Sequence, residues 1–161
     1  MDLDRFRSTA ASRLGKNRKF LEGLKRKPAA RLDELFQEHH SAVFSAIDCL
    51  QCANCCRTTS PIFNHRDIER ISRSLKLRPG EFMEKYLKFD DDGDCVLKST
   101  PCSFLNSDNT CLIYSDRPKA CLEYPHTNRN NMAGILQLTL RNTEVCPAVL
   151  DIVERLRNDL E

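Results

Sequence analysis

The sequence predicts a mainly helical α+β fold: a small metal-organised domain with short helices and one or two short hairpins around a cysteine cluster. Three observations carry that prediction. Apolar residues recur at helical spacing in several separate stretches. The turn-forming run Asn106-Ser107-Asp108-Asn109-Thr110 stands between Cys102-Ser103-Phe104-Leu105 and Cys111-Leu112-Ile113-Tyr114, the pattern of a hairpin with a cysteine at each base. The stretch Cys49-Leu50-Gln51-Cys52-Ala53-Asn54-Cys55-Cys56 packs four thiols into eight residues. Thiolates bind soft and borderline metals, and a two-residue gap lets neighbouring sulfurs converge on one centre without straining the backbone.

Size and composition narrow the classes. The chain has 161 residues, 40% hydrophobic and without Trp, enough for one domain with a modest core. Nine cysteines is an odd number, so intramolecular disulfides would leave one thiol over. No stretch forms a signal-peptide core or spans a bilayer, which points to the cytoplasm. In that reducing compartment clustered cysteines act as metal ligands or catalysts rather than as disulfides. The net charge of +2 is uneven: residues 1–31 hold ten Lys or Arg against three acids, a net +7, which leaves −5 for the remainder. The chain therefore reads as a basic N-terminal arm or helix over residues 1–29 and a cysteine-cluster metal-binding domain over residues 30–161. The arm could touch an acidic protein or a nucleic acid. It lacks the aromatic residues that mark a base-stacking surface, so a solvated basic helix is the simpler reading.

The elements follow in order. Residues 3–27 form a weakly amphipathic helix with Leu14, Phe20, Leu21 and Leu24 on a loose stripe, ended by Pro28. From Ala30 the period sharpens through Leu32, Leu35, Phe36, Val43, Phe44, Ile47 and Leu50, predicting a helix that runs into the cysteines. Continued helical geometry puts Cys49, Cys52 and Cys56 in one sector and Cys55 about 100° off it. Unwinding after Cys52 would bring Cys55 in; otherwise it serves a second centre. His39 and His40 are surface or packing histidines.

Asn64, with Asp67 three residues on, predicts a capped helix with Ile68, Ile71 and Leu75 inward. Pro79 opens a further helix with Phe82, Met83, Tyr86 and Leu87 after the turn Leu77-Arg78-Pro79-Gly80. Asp90-Asp91-Asp92-Gly93-Asp94 fails the calcium-loop template and reads as a solvated turn. Cys95-Val96-Leu97 suits a short strand. Pro118 starts a helical turn that delivers Cys121 toward the hairpin, and Arg117 and Lys119 could offset thiolate charge there. Ile135–Leu140 fits both periods, and the alternation of Leu136, Leu138 and Leu140 favours a strand. Cys146-Pro147 opens a last helix with Val149, Leu150, Val153 and Leu156 inward.

Together Cys49-x-x-Cys52-x-x-Cys55-Cys56, Cys102-Ser103-Phe104-Leu105, Cys111-x-Ile113-Tyr114, Arg117-Pro118-x-x-Cys121-x-x-Tyr124-Pro125 and Cys146-Pro147 form an ordered set. It resembles the CxxCxxCC putative zinc- or iron-chelating domain family, the YkgJ-type cysteine cluster proteins, over roughly Cys49 to Pro147. The resemblance implies eight metal ligands: Cys49, Cys52, Cys55, Cys56, Cys102, Cys111, Cys121 and Cys146. Cys95 falls outside that pattern and reads as a small buried hydrophobe or spare thiol.

Zinc and iron both suit this ligand set. Eight thiolates could make two closed tetrahedral sites, with the adjacent Cys55 and Cys56 on different ions. Alternatively, Cys49, Cys52 and Cys55 echo the start of a bacterial ferredoxin run and Cys146-Pro147 its end, which would make an iron–sulfur cluster with a redox role. The immediate fourth thiol departs from that run and favours zinc or mononuclear iron. Some relatives resemble flagellin lysine N-methylases, which implies an accessory or catalytic role in protein modification. The chain shows no glycine-rich nucleotide loop after a strand and no βαβ setting for a redox CxxC pair, so a non-enzymatic metal protein is favoured. His65 and His126 could assist chemistry but read more simply as surface groups or hydrogen-bond partners of a ligand. In a further alternative the metal core is a scaffold and the basic arm binds an acidic partner.

Overall fold

A computed structural model describes residues 2–161. Its backbone divides into two compact units, one from residues 2–49 with 125–161, the other Leu50–Tyr124.

The first unit is built from long amphipathic helices. Helix α1 (Leu3–Leu24) is capped by the Asp2 carboxylate, which accepts the Arg5 N–H at 3.0 Å. Its buried Phe20, Leu21 and Leu24 join Leu32, Leu35, Phe36 and Val43 of α2 (Ala29–Phe44) in one core. The last helix, α9 (Pro147–Leu160), opens on a proline whose missing N–H costs nothing at a helix start, and contributes Val149, Ile152, Val153 and Leu156. Asp33 of α2 accepts the backbone N–H groups of Asn131 at 2.7 Å and Met132 at 2.8 Å. That carboxylate fixes the start of a 3-10 turn, Met132–Ile135, which leads into α8 (Leu136–Asn142).

Helix α8 corrects the strand expected at Ile135–Leu140. Leu136 and Leu140, four residues apart, point with Met132 into the core, and the Thr139 hydroxyl donates back to the Ile135 carbonyl at 3.1 Å. Among the described residues no strand pairs with this segment, so helical bonding is what satisfies its backbone groups.

The second unit is made of short pieces. The expected continuous helix into the cysteines does not form. α2 stops at Phe44, where the Ser41 and Ser45 hydroxyls donate to the Gln37 and Ala42 carbonyls and compete with helical bonding. The chain restarts as α3 (Cys49–Cys52), turns at Ala53 in the left-handed conformation (φ +48°) and continues as α4 (Asn54–Thr58). Helix α5 (His65–Ser74) carries the anticipated reciprocal cap: Asn64 Oδ1 accepts the Asp67 N–H at 3.0 Å and Asp67 Oδ2 the Asn64 N–H at 3.3 Å. Helix α6 (Pro79–Tyr86) leads into an antiparallel pair, β1 (Leu87–Phe89) and β2 (Cys95–Leu97), in register Leu87 to Leu97 and Phe89 to Cys95. Their loop is the aspartate run. Asp90 Oδ1 accepts the N–H groups of Asp92 and Asp94, and Gly93 takes φ +82°.

Phe63, Ile68, Ile71, Phe82, Leu87, Leu97, Phe104 and Ile113 fill this unit's core. Leu105 bridges Cys111 across the turn at Asn106–Thr110, completing the second small hairpin. After a 3-10 turn (Tyr114–Asp116), α7 (Lys119–Glu123) closes the unit. No helix among the described residues is long and apolar enough to cross a membrane.

Candidate metal centre

Two sulfur-bearing turns in the second unit are built alike. Cys102 and Cys111 each sit two residues before a buried apolar residue, Phe104 and Ile113, which anchors its turn in the core. Phe104 lies parallel to Phe82 at a centroid distance of 6.2 Å and tilted against Tyr86 at 4.9 Å. With each turn so held, the backbone N–H of Phe104 bonds the Cys102 sulfur and that of Ile113 bonds the Cys111 sulfur. An amide pointed at sulfur stabilises its thiolate. The local signal is the repeated cysteine, any residue, apolar residue.

Cys56 joins these turns through the backbone, since its carbonyl accepts the Cys102 N–H at 2.8 Å. Its Sγ lies 4.0 Å from Cys55 Sγ. Interaction with Cys55 brings the Cys56 thiol down to about 7, burial opposes the change, and the Arg57 charge adds to it. Cys102 and Cys111 are pushed up, mainly by burial, and the Cys56 charge adds to both. Cys121 is pushed up to about 12 by burial first and then by charge on Cys56, Cys102 and Cys111, with the Arg117 guanidinium opposing. These four thiols share one electrostatic environment, and ionising them together without a cation is unfavourable.

Cys121 reaches that environment because of a carboxylate far away in sequence. Asp67 is buried to 1% exposure; its Oδ1 accepts from Arg70 at 2.7 Å and from the Lys119 backbone N–H at 3.1 Å. The same Arg70 nitrogen also reaches the Asp116 carbonyl at 3.3 Å and the Arg117 carbonyl at 2.9 Å. Asp67 and Arg70 thus tie α5 to the first turn of α7, two residues before Cys121. The sequence marked Asp67 as a capping residue only.

The remaining predicted ligands are placed as follows. Cys52 is half-buried at the end of α3 and Cys55 half-buried on α4. Cys49 is exposed at the last position of the first unit's N-terminal segment. Cys146, also in the first unit, is half-buried at the N-cap of α9, packed on the apolar core, with its N–H on the Asn142 carbonyl at 2.8 Å. Cys95 lies buried in β2, as a small core residue would. No disulfide joins these cysteines among the described residues. Nor, among those residues, does any trio of His, Cys, Asp or Glu form a preformed metal-holding group.

Charge near the thiols comes from Arg57 and Arg117. Arg117 stacks on the Tyr114 ring at 4.1 Å, while Lys119 pairs with Glu123 at 3.4 Å. The histidines pack elsewhere. His40 lies 4.4 Å from the Phe44 ring centre with Nδ1 2.8 Å from the Thr127 hydroxyl, His39 stands 3.0 Å from the Asp159 carboxylate, and exposed His65 is 3.6 Å from Glu69.

The candidate donors are all sulfur, a chemistry that fits zinc or iron and suits magnesium or calcium poorly. The family model of the CxxCxxCC putative zinc- or iron-chelating domain matches residues 48–147. No curated protein and no solved structure matches the chain.

Proposed function

The chain belongs to the CxxCxxCC putative zinc- or iron-chelating family, and from that premise we propose that it holds zinc or iron through cysteine thiolates as a structural centre, without catalysis of its own. The observation that carries this reading is the electrostatic coupling of Cys56, Cys102, Cys111 and Cys121, two of them on turns whose amides already point at sulfur. A bound dication would remove the repulsion among these thiolates and supply the charge that burial withholds. On this reading Cys49, Cys52, Cys55 and Cys146 act with those four, eight thiolates in all, and the adjacent Cys55 and Cys56 serve different ions. Such thiolates persist in a reducing compartment, so the protein is assigned to the cytoplasm.

Anaerobic purification followed by metal and acid-labile sulfide analysis tests the proposal. The expected result is about two zinc or iron ions per chain without sulfide, as eight thiolates in four-coordinate sites require. Brown protein containing stoichiometric sulfide would replace this reading with an iron–sulfur cluster. Folded protein free of metal would refute both.

A further inference from the structure

A cleft of about 700 Å³ opens in the second unit between the start of α5 and the segment from Ser115 to Leu122. Four cationic side chains line it, Arg66, Arg70, Arg117 and Lys119, against a single carboxylate, Asp67. That carboxylate is already engaged by Arg70 and by the Lys119 N–H. Arg70 and Arg117 are in turn fixed by backbone carbonyls, Arg117 Nη1 donating to Tyr114 at 2.7 Å. Arg66 is exposed and forms no ion pair among the described residues. The lining therefore carries a net surplus of positive charge, held in part by side chains that cannot swing away. None of the lining residues is a cysteine, although Arg117 also acts on the Cys111 and Cys121 thiols.

We propose that this cleft binds a small molecule carrying a phosphate group. Its volume falls in the range of small-ligand sites and exceeds what a bare inorganic ion fills. Leu122 is the one aliphatic side chain in the lining, and the exposed His65 imidazole is its one ring, with no Phe, Tyr or Trp to form a larger stacking platform. What the cleft offers is several guanidinium N–H groups around one concavity, with the Lys119 ammonium shared with Glu123 at its edge, and a phosphate dianion satisfies these guanidinium groups better than a single carboxylate does.

Glycerol 3-phosphate, titrated into the full-length protein at constant ionic strength, tests the assignment, with glycerol as the uncharged control. Binding should be saturable, absent with glycerol, and should shift the backbone amide resonances of His65–Asp67 and Ser115–Lys119. Arg66→Gln should weaken it about tenfold or more, the usual effect of losing a charge-assisted pair. Arg155→Gln, an equal charge change in the first unit, should leave it unaltered. No saturation, shifts centred outside the cleft, or equal losses in the two variants would each overturn the proposal. The wild-type shift map decides the matter even if Arg66→Gln disturbs folding.

Discussion

The two units reach stability by different routes. The first has helices of 22, 16, 14 and 7 residues and, among the described residues, fifteen buried side chains in its main core. The second has helices of 4, 5, 10, 8 and 5 residues, two three-residue strands, and nine buried side chains. Isolated helices shorter than about 12 residues are marginal in water, and small units with limited cores commonly need disulfides or metal. The second unit also carries seven of the nine cysteines. The difference teaches where metal should matter: it ought to be dispensable to the first core and decisive for the second.

The largest effect should come from Cys121→Ser. It removes a thiolate from the coupled set and should lower bound metal by at least half, measured by mass spectrometry or elemental analysis. It should also destabilise the second unit by roughly 4 kcal/mol or more, the scale of losing a metal site. In the first unit, Phe36→Ala should cost about 3–5 kcal/mol through the cavity it leaves, read as a drop in thermal or denaturant midpoint, with metal content retained. An equal metal loss in both variants would erase the proposed division of labour.

Asp67→Asn should have a smaller effect. It weakens the ion pair with Arg70 and the hold on Lys119, at a cost of roughly 1–3 kcal/mol, since Arg70 is partly exposed. Metal affinity should fall with it because Cys121 loses its fixed approach, and competition with a chromophoric chelator would show the loss. Unchanged affinity would mean that α7 is held by other contacts.

The smallest effect concerns pH in the first unit. Burial lowers the His40 imidazole below its ordinary 6.5. Below that value the unfolded chain takes up a proton that the folded His40 refuses, so stability is lost as pH falls toward the lowered folded value and is unaffected by this group above it. His40→Gln should flatten the acid loss of the first unit's melting temperature relative to wild type. An identical acid slope would exclude this contribution.

Much of this design was legible in local pattern. The capping box at Asn64, the prolines at helix starts, the apolar faces of α5, α6 and α9, and the hairpin between Cys102 and Cys111 all rest on neighbours a few residues apart. Two features misled. Ile135–Leu140 satisfies both strand and helix periods, and only its packing with Met132 decides for helix. The break after Phe44 depends on serine hydroxyls competing with the backbone, while the apolar period continues through Ile47 and Leu50. The link from Asp67 to Lys119 joins segments 52 residues apart, a relation no spacing rule contains. Arg57 escaped attention too: nothing but proximity in the fold sets it apart from other exposed arginines.

Backbone hydrogen exchange before and after chelation tests most directly whether metal holds the second unit. Full-length protein purified anaerobically would be treated with a strong chelator and followed residue by residue. The expected result is loss of protection across α5, α6, β1, β2 and α7, while α1, α2 and α9 keep theirs, because apolar burial alone sustains the first core. Protection in the second unit that survives complete metal removal would contradict the account.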